Sequence, residues 1–410
     1  MFVPICSIIL DFLQERTYTL NMDTQIGKEI VVRGQTYVLT DTPIFKCIRS
    51  KDYNYNFDKR TGFFQRWGKT MQDDPQFSPA GFEIWDCEAT TICSGMTYKV
   101  PTEQKVLTER KVPTERKVIQ GHYSPCRFCY KSNNLKGKNL SFANFKTMLD
   151  LSPKTLTQVA FGCDSKAESN PDLFKMMQYC REVGVIPNVT VSDVSDETIK
   201  KLCNVCGAVA VSRYEDKQVC YDIVRKLSEG GLKQTNIHSL LSLQTYDWCM
   251  ETVKDIANGK VPGLNAIVFL SLKKKGRAKN NFDSVSYEQF KSLFLWCMEH
   301  EIAMGFDSCS ASRFMKLVTE EDSIEEEIKK RYIQSCEPCE SGLFSFYTNV
   351  DGDYFPCSFT EKENEWKNGL SLLNCNDFYE DIWYHPKNEN WRQRLIQSGC
   401  KDNCRKCLTF

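Results

Sequence analysis

Between residues 82 and 308 the sequence alternates between short apolar runs rich in β-branched side chains and longer amphipathic segments. The runs fall at 83–91, 157–161, 186–191, 208–212, 235–238 and 265–270. Segments of helix length lie between and after them at 171–183, 196–203, 218–229, 246–257 and 286–299, with apolar residues at helical spacing. Six strand-helix units in series predict a parallel sheet with right-handed crossovers, closed or nearly closed into a barrel. Spacing alone does not separate such a barrel from an open, doubly wound sheet.

Inside this frame sits a chemically dense stretch, Ser124-Pro125-Cys126-Arg127-Phe128-Cys129-Tyr130. Two thiols separated by two residues lie on one side of a tight turn and can reach the same metal or iron-sulfur centre. Cys93 follows the first strand-like run, so three cysteines can meet in the loop that leaves it. A third ligand is available upstream of the pair in Cys93, across an insertion, or in His122, four residues before Cys126. Thiolate is anionic and soft and suits a cluster iron better than imidazole, which favours Cys93. The insertion is a hexapeptide repeat, KVPTEQ, KVLTER and KVPTER from Lys99, Lys105 and Lys111. Charged and punctuated by proline, it builds no core of its own. Closing so long a loop costs only about 0.6 kcal/mol per doubling of length.

The cysteine turn, with an aromatic residue, Phe128, before its last cysteine, resembles the radical S-adenosylmethionine (radical SAM) enzymes, which hold a 4Fe-4S cluster by a CxxxCxxC motif after the first barrel strand. The resemblance implies a partial (β/α)6 barrel with chemistry at the C-terminal ends of its strands, the face barrel enzymes use in general. It implies a cluster on Cys93, Cys126 and Cys129 whose open iron takes S-adenosylmethionine, and an external electron donor such as a flavodoxin or ferredoxin. Gly162 and Asp164, where relatives carry a glycine-rich turn that binds the methionine amino group, become candidate contacts, although Cys163 departs from that pattern. A plain strand-end turn is the alternative. Ser212 and Arg213 end the fourth strand, where relatives place a polar residue on the ribose and a basic one near the carboxylate; the other reading is a solvated arginine. Asn236 and His238 end the fifth and share one face by alternation, with a structural histidine as the competing assignment.

From Cys309 the texture changes, with eight cysteines up to Phe410. Cys339 is followed after twelve residues by Gly352, and Gly352 after four more by Cys357, in a phrase that reads as a hairpin around Asp351-Gly352. This resembles the SPASM and twitch extensions of radical SAM maturases, with Cys404 and Cys407 as the completing pair. It implies one auxiliary cluster on Cys339, Cys357, Cys404 and Cys407 and a peptide or protein substrate. A zinc site of four thiolates has the same spacing.

The expected organisation is therefore an N-terminal extension (1–80) with a hairpin across Gly34-Gln35, a partial barrel (81–308, with a loop insertion at 99–120) and a small cysteine-rich α+β domain (309–410). At 410 residues and 41% apolar, the chain is large enough to bury a core. Lys plus Arg equals Asp plus Glu at 53 each, which gives no global pull toward nucleic acid or an anionic membrane. The apolar run at 2–13 is short and meets charges too soon to span a bilayer. Twenty-one cysteines in a chain this large suit metal chemistry in a reducing compartment better than a disulfide scaffold, so a cytoplasmic location is expected. Two other function classes stay open: an iron-sulfur or zinc protein on a damaged radical SAM scaffold, and a nucleic-acid-modifying enzyme.

Overall fold

The computed structural model describes residues 5–6, 27–98, 122–399 and 405–410. The hexapeptide repeat, Cys400, Cys404 and most of the apolar run at 2–13 lie outside the described residues. After β1 (Ile5–Cys6) comes an antiparallel sheet of β2 (Lys28–Val32), β3 (Gln35–Asp41), β4 (Phe45–Arg49), β5 (Asn54–Asp58) and β6 (Phe64–Trp67), in that order. The expected hairpin is present, but its turn is at Arg33-Gly34, with φ of 47° and 81°, and Val32 pairs with Gln35. Two successive positive φ values give the turn whose twist matches the strands. This sheet packs Tyr37, Tyr53, Tyr55 and Phe57 near Ile186, Leu343 and Phe344. Tyr55 Oη donates to the Thr155 carbonyl at 2.8 Å and Lys46 Nζ to that of Leu156 at 2.7 Å. These contacts lie just ahead of, or at the start of, β10 and β11 below, so the sheet covers the end of the barrel opposite the cysteine turn.

The barrel runs β7 (Ile84–Glu88), a small pair β8 (Met96–Tyr98) and β9 (His122–Ser124), α1 (Phe142–Leu151), β10 (Gln158–Gly162), α2 (Leu173–Glu182), β11 (Ile186–Val191), α3 (Asp196–Val205), β12 (Ala208–Arg213), α4 (Lys217–Glu229), β13 (Gln234–Leu241), α5 (Tyr246–Ala257), β14 (Ala266–Ser271), α6 (Tyr287–Glu299) and β15 (Met304–Asp307). β7 and β10 to β15 pair in sequence order, all parallel. The expected partial barrel is thus present with a seventh strand, Met-Gly-Phe-Asp, too short to show a period. Its edge is taken by β1, antiparallel.

After α7 (Ala311–Glu320) and α8 (Glu326–Ser335), β16 (Ser345–Thr348) pairs parallel with β7, then β17 (Asp353–Phe355) folds back on it and β18 (Leu370–Ser371) follows, before α9 (Pro386–Gln397). The expected hairpin turns at Gly352, whose φ is 81°. The cysteine-rich part therefore continues the barrel's sheet on its free edge.

Helices bury one stripe each. Leu173, Met176, Met177 and Cys180 in α2, Cys220, Ile223, Val224 and Leu227 in α4, and Phe290, Leu293, Phe294 and Cys297 in α6 share the spacing i, i+3, i+4, i+7. Cysteine serves there as a small hydrophobe, and each fully buried large apolar side chain contributes about 1.5–3 kcal/mol. α6 starts on a Ser286–Gln289 capping box. The strands alternate the other way. Trp85, Val159, Phe161, Val189, Val209 and Val211 belong to the helix-facing core, while Asp86, Glu88, Ala160, Gly162, Thr190 and Ser212 line a cavity. A filled barrel carries bulky branched residues inside. Here small and polar ones leave space.

Candidate active site

At the C-terminal ends of the strands this space forms a cavity of about 290 Å³, near the lower end of the 300–1,000 Å³ usual for ligand sites. Cys93, Cys126 and Cys129 line it, all free thiols. The insertion explains how Cys93 gets there. β8 and β9 pair antiparallel with Met96 opposite Ser124 and Tyr98 opposite His122, a stem whose two strands flank the repeat in sequence. Cys93 and Cys126 stand just outside the Met96–Ser124 pair, at the base of the stem. The His122 backbone is two positions farther up, and its side chain lies outside the described residues.

The Cys126–Cys129 turn is held from across the barrel. Arg277, in the 3-10 turn after β14, donates Nε to the Cys126 carbonyl at 2.8 Å, Nη1 to that of Asn133 at 3.0 Å, and its backbone N–H to that of Cys129 at 3.0 Å. Gly276 makes the approach possible. It has φ of 56°, and a Cβ there would lie 2.3 Å from the Tyr130 carbonyl oxygen. Phe128 packs against Tyr214 and Phe282, with ring centroids at 5.3 and 5.8 Å. Half-buried Tyr130 packs against Phe359 with ring centroids at 4.8 Å, and Lys131 bonds Glu88, Glu361 and the Tyr347 hydroxyl.

Burial pushes the Cys126 thiol up to about 12, helped by Cys129 and Cys93 and opposed by Arg277. All three thiols also raise Tyr214, after burial, the largest cause. Three thiols around one cavity fit a cluster that leaves one iron open, and its binding would release protons. Among the described residues no three His, Cys, Asp or Glu side chains are set to hold a single metal ion.

The remaining expected contacts divide. Gly162, Asp164, Ser212, Arg213 and His238 line the cavity, whereas Asn236 lies deeper and accepts a bond from Asn265 at 2.8 Å. β13 continues to Leu241, so Asn236 and His238 are mid-strand, not at its end. The Asp164 carboxylate is occupied by the backbone N–H groups of Lys166, Glu168 and Ser169 at 3.0–3.2 Å and shapes its own loop. A Cβ at Gly162 would meet only ordinary contacts at 3.7 Å. Arg213 is neither solvated nor aimed inward: its guanidinium bonds Glu251 at 2.9 Å and Thr252 at 3.1 Å. Ser212 faces in and is hydrogen-bonded to Tyr214. His238 is buried, its Nδ1 3.4 Å from the Thr190 hydroxyl, and burial pulls its pKa down to about 3, so it is neutral.

Sequence reading missed Asp86, Arg277, Gly276 and the buried Lys273–Asp307 pair (2.9 Å) on the cavity wall. The available signal was position, since Lys273 and Arg277 both follow the end of a barrel strand. Asp86 Oδ1 has no hydrogen-bond partner among the described residues, and burial raises its carboxyl to about 7.

No family model matches the sequence, and no curated protein matches it at a significant level. Among solved structures, Streptococcus suis SuiB bound to S-adenosylmethionine superposes with a TM-score of 0.53 at 14% identity, over 78% of this chain and 69% of that one. The [FeFe]-hydrogenase maturase HydG gives a TM-score of 0.35 at 13% identity, over 53% and 49%. HydG from Carboxydothermus hydrogenoformans gives 0.35 at 10%, over 67% and 60%. The HydG values are too low to bear on the fold. No described helix is long and apolar enough to cross a membrane. With the SuiB superposition, the parallel sheet and the cavity at its strand ends, the chain has a fold of the radical SAM type.

Proposed function

We propose that this protein is a radical SAM enzyme whose Cys93, Cys126 and Cys129 hold a 4Fe-4S cluster in the barrel cavity. The observation that carries the reading is the meeting of these three thiols at the C-terminal ends of the strands, across a long insertion, in a fold shared with a protein crystallised with S-adenosylmethionine. When bound, the cluster and S-adenosylmethionine supply reductive cleavage to a 5′-deoxyadenosyl radical that abstracts hydrogen, with the electron coming from a donor such as a flavodoxin or ferredoxin. The chain's own part is placement and dryness. Arg277 fixes the cysteine turn, and Phe128, Tyr130 and Tyr214 exclude water around it. Ser212 and its partner Tyr214 offer hydroxyl contacts to the ligand's polar groups, and the cavity between the turn and the Lys273–Asp307 pair receives the substrate. The hairpin carrying Cys357 and its resemblance to maturase extensions favour a peptide or protein substrate and an auxiliary cluster.

The test is anaerobic reconstitution with iron and sulfide, followed by dithionite and S-adenosylmethionine, with 5′-deoxyadenosine measured by mass spectrometry. The unaltered protein should produce it. Replacing Cys126 and Cys129 by Ala should abolish the product and remove about four irons per chain. Full iron retention in that variant would make the pair ordinary structural thiols and overturn the reading.

A further inference from the structure

We propose that Cys309 is a metal ligand, and that with Cys339, Cys357 and Cys407 it forms a closed four-thiolate site for an iron-sulfur cluster. The proposal rests on the iron-sulfur reading above and puts Cys309 in the fourth position, which the spacing of the C-terminal cysteines gives to Cys404, a residue outside the described ones. Cys309 lies thirty residues before Cys339 in sequence, in the single 3-10 turn Ser308–Ser310 that leaves β15. The fold brings it to the others. The four thiols line one small cavity of about 40 Å³, closed by Pro356, Trp391 and Leu408. They come from four places: the end of β15, the loop after α8, the end of β17 and the C-terminal tail.

The backbone around this cavity treats the sulfurs as hydrogen-bond acceptors. Backbone N–H groups aim at the thiols: Ser341 toward Cys339, Phe359 and Thr360 toward Cys357, and Thr409 N–H at 3.4 Å from Cys407 Sγ. Hydrogen bonds to the sulfurs are one of the means by which proteins tune iron-sulfur clusters. A tetrahedral zinc needs sulfurs about 2.3 Å from one ion, and no three of the described ligands are set for that. A cubane takes each sulfur through a different iron and tolerates wider spacing.

The experiment uses the full chain carrying Cys126→Ala and Cys129→Ala, which empties the first site, reconstituted without oxygen. Iron, sulfide and the dithionite-reduced EPR spectrum are the readouts. This background should hold about four irons; Cys309→Ala added to it should lose most of them, and Cys309→Ser should shift the EPR g values. Should the alanine variant fail to fold by circular dichroism, the serine spectrum decides. Four irons and an unshifted spectrum in both variants would overturn the proposal while leaving the second cluster in place. An iron-free background would remove the second cluster and the proposal together, with the first site judged separately by its own product assay.

Discussion

The molecule carries two groups of cysteines built on opposite plans. The first draws three thiols from one loop region after β7 and opens into a cavity of about 290 Å³ lined by small and polar strand residues. The second gathers four from distant segments around about 40 Å³, closed by Trp391 and Leu408. For metal sites generally, closed coordination goes with structure or electron storage and an open position with chemistry. On that logic the first group is the one at which a bound metal would meet a substrate. Asp86, Ser358 and Phe359 line both cavities, so the wall between them is a few side chains thick.

The sharpest way to break this contrast is at Gly276. Changing it to Ala places a methyl against the Tyr130 carbonyl at a positive φ, and should cost about 2 kcal/mol or more in urea unfolding. It should strip iron from the first site and leave the second intact; equal losses at both would mean the sites are not independently built. Arg277→Lys should come next, since lysine cannot reproduce the fork onto Cys126 and Asn133. Loss of these bonds is worth about 1.5–3 kcal/mol, read as reduced first-site iron with unchanged helix content.

Asp86 tests the wall by pH. Its folded pKa, about 7, lies above the ordinary carboxylate value, so its contribution to stability is complete below pH ~4 and is lost as pH rises toward 7. Asp86→Asn should therefore stabilise the metal-free protein by about 2 kcal/mol at pH 8, with a ceiling near 4, and give no gain at pH 4. A pH-independent difference in denaturant midpoint would mean that Asp86 is solvated. The smallest effect belongs to the repeat. Deleting residues 106–118, between β8 and β9 in sequence, should change stability by less than about 0.5 kcal/mol and leave first-site iron unchanged, as should His122→Ala, whereas Cys93→Ser should empty that site.

What the sequence determined by itself was everything with a local period or a short spacing. The strand-helix alternation, the Cys126–Cys129 turn, the hairpin around Gly352 and the cysteines used as helix-stripe hydrophobes all follow from residues within a turn or two of each other. Local chemistry even placed the N-terminal hairpin to within one residue; two successive residues at positive φ moved its turn to Arg33-Gly34. Only tertiary structure decided which side chains meet at the barrel mouth. Arg213 reads as a site residue until α5 supplies Glu251 to turn it outward, and Asp164 until its own loop takes both carboxylate oxygens. Arg277 lies 151 residues from the carbonyl it holds, and Cys309 thirty from its nearest partner. Such pairings carry no periodicity, because they depend on which loops a parallel barrel happens to deliver to the same end.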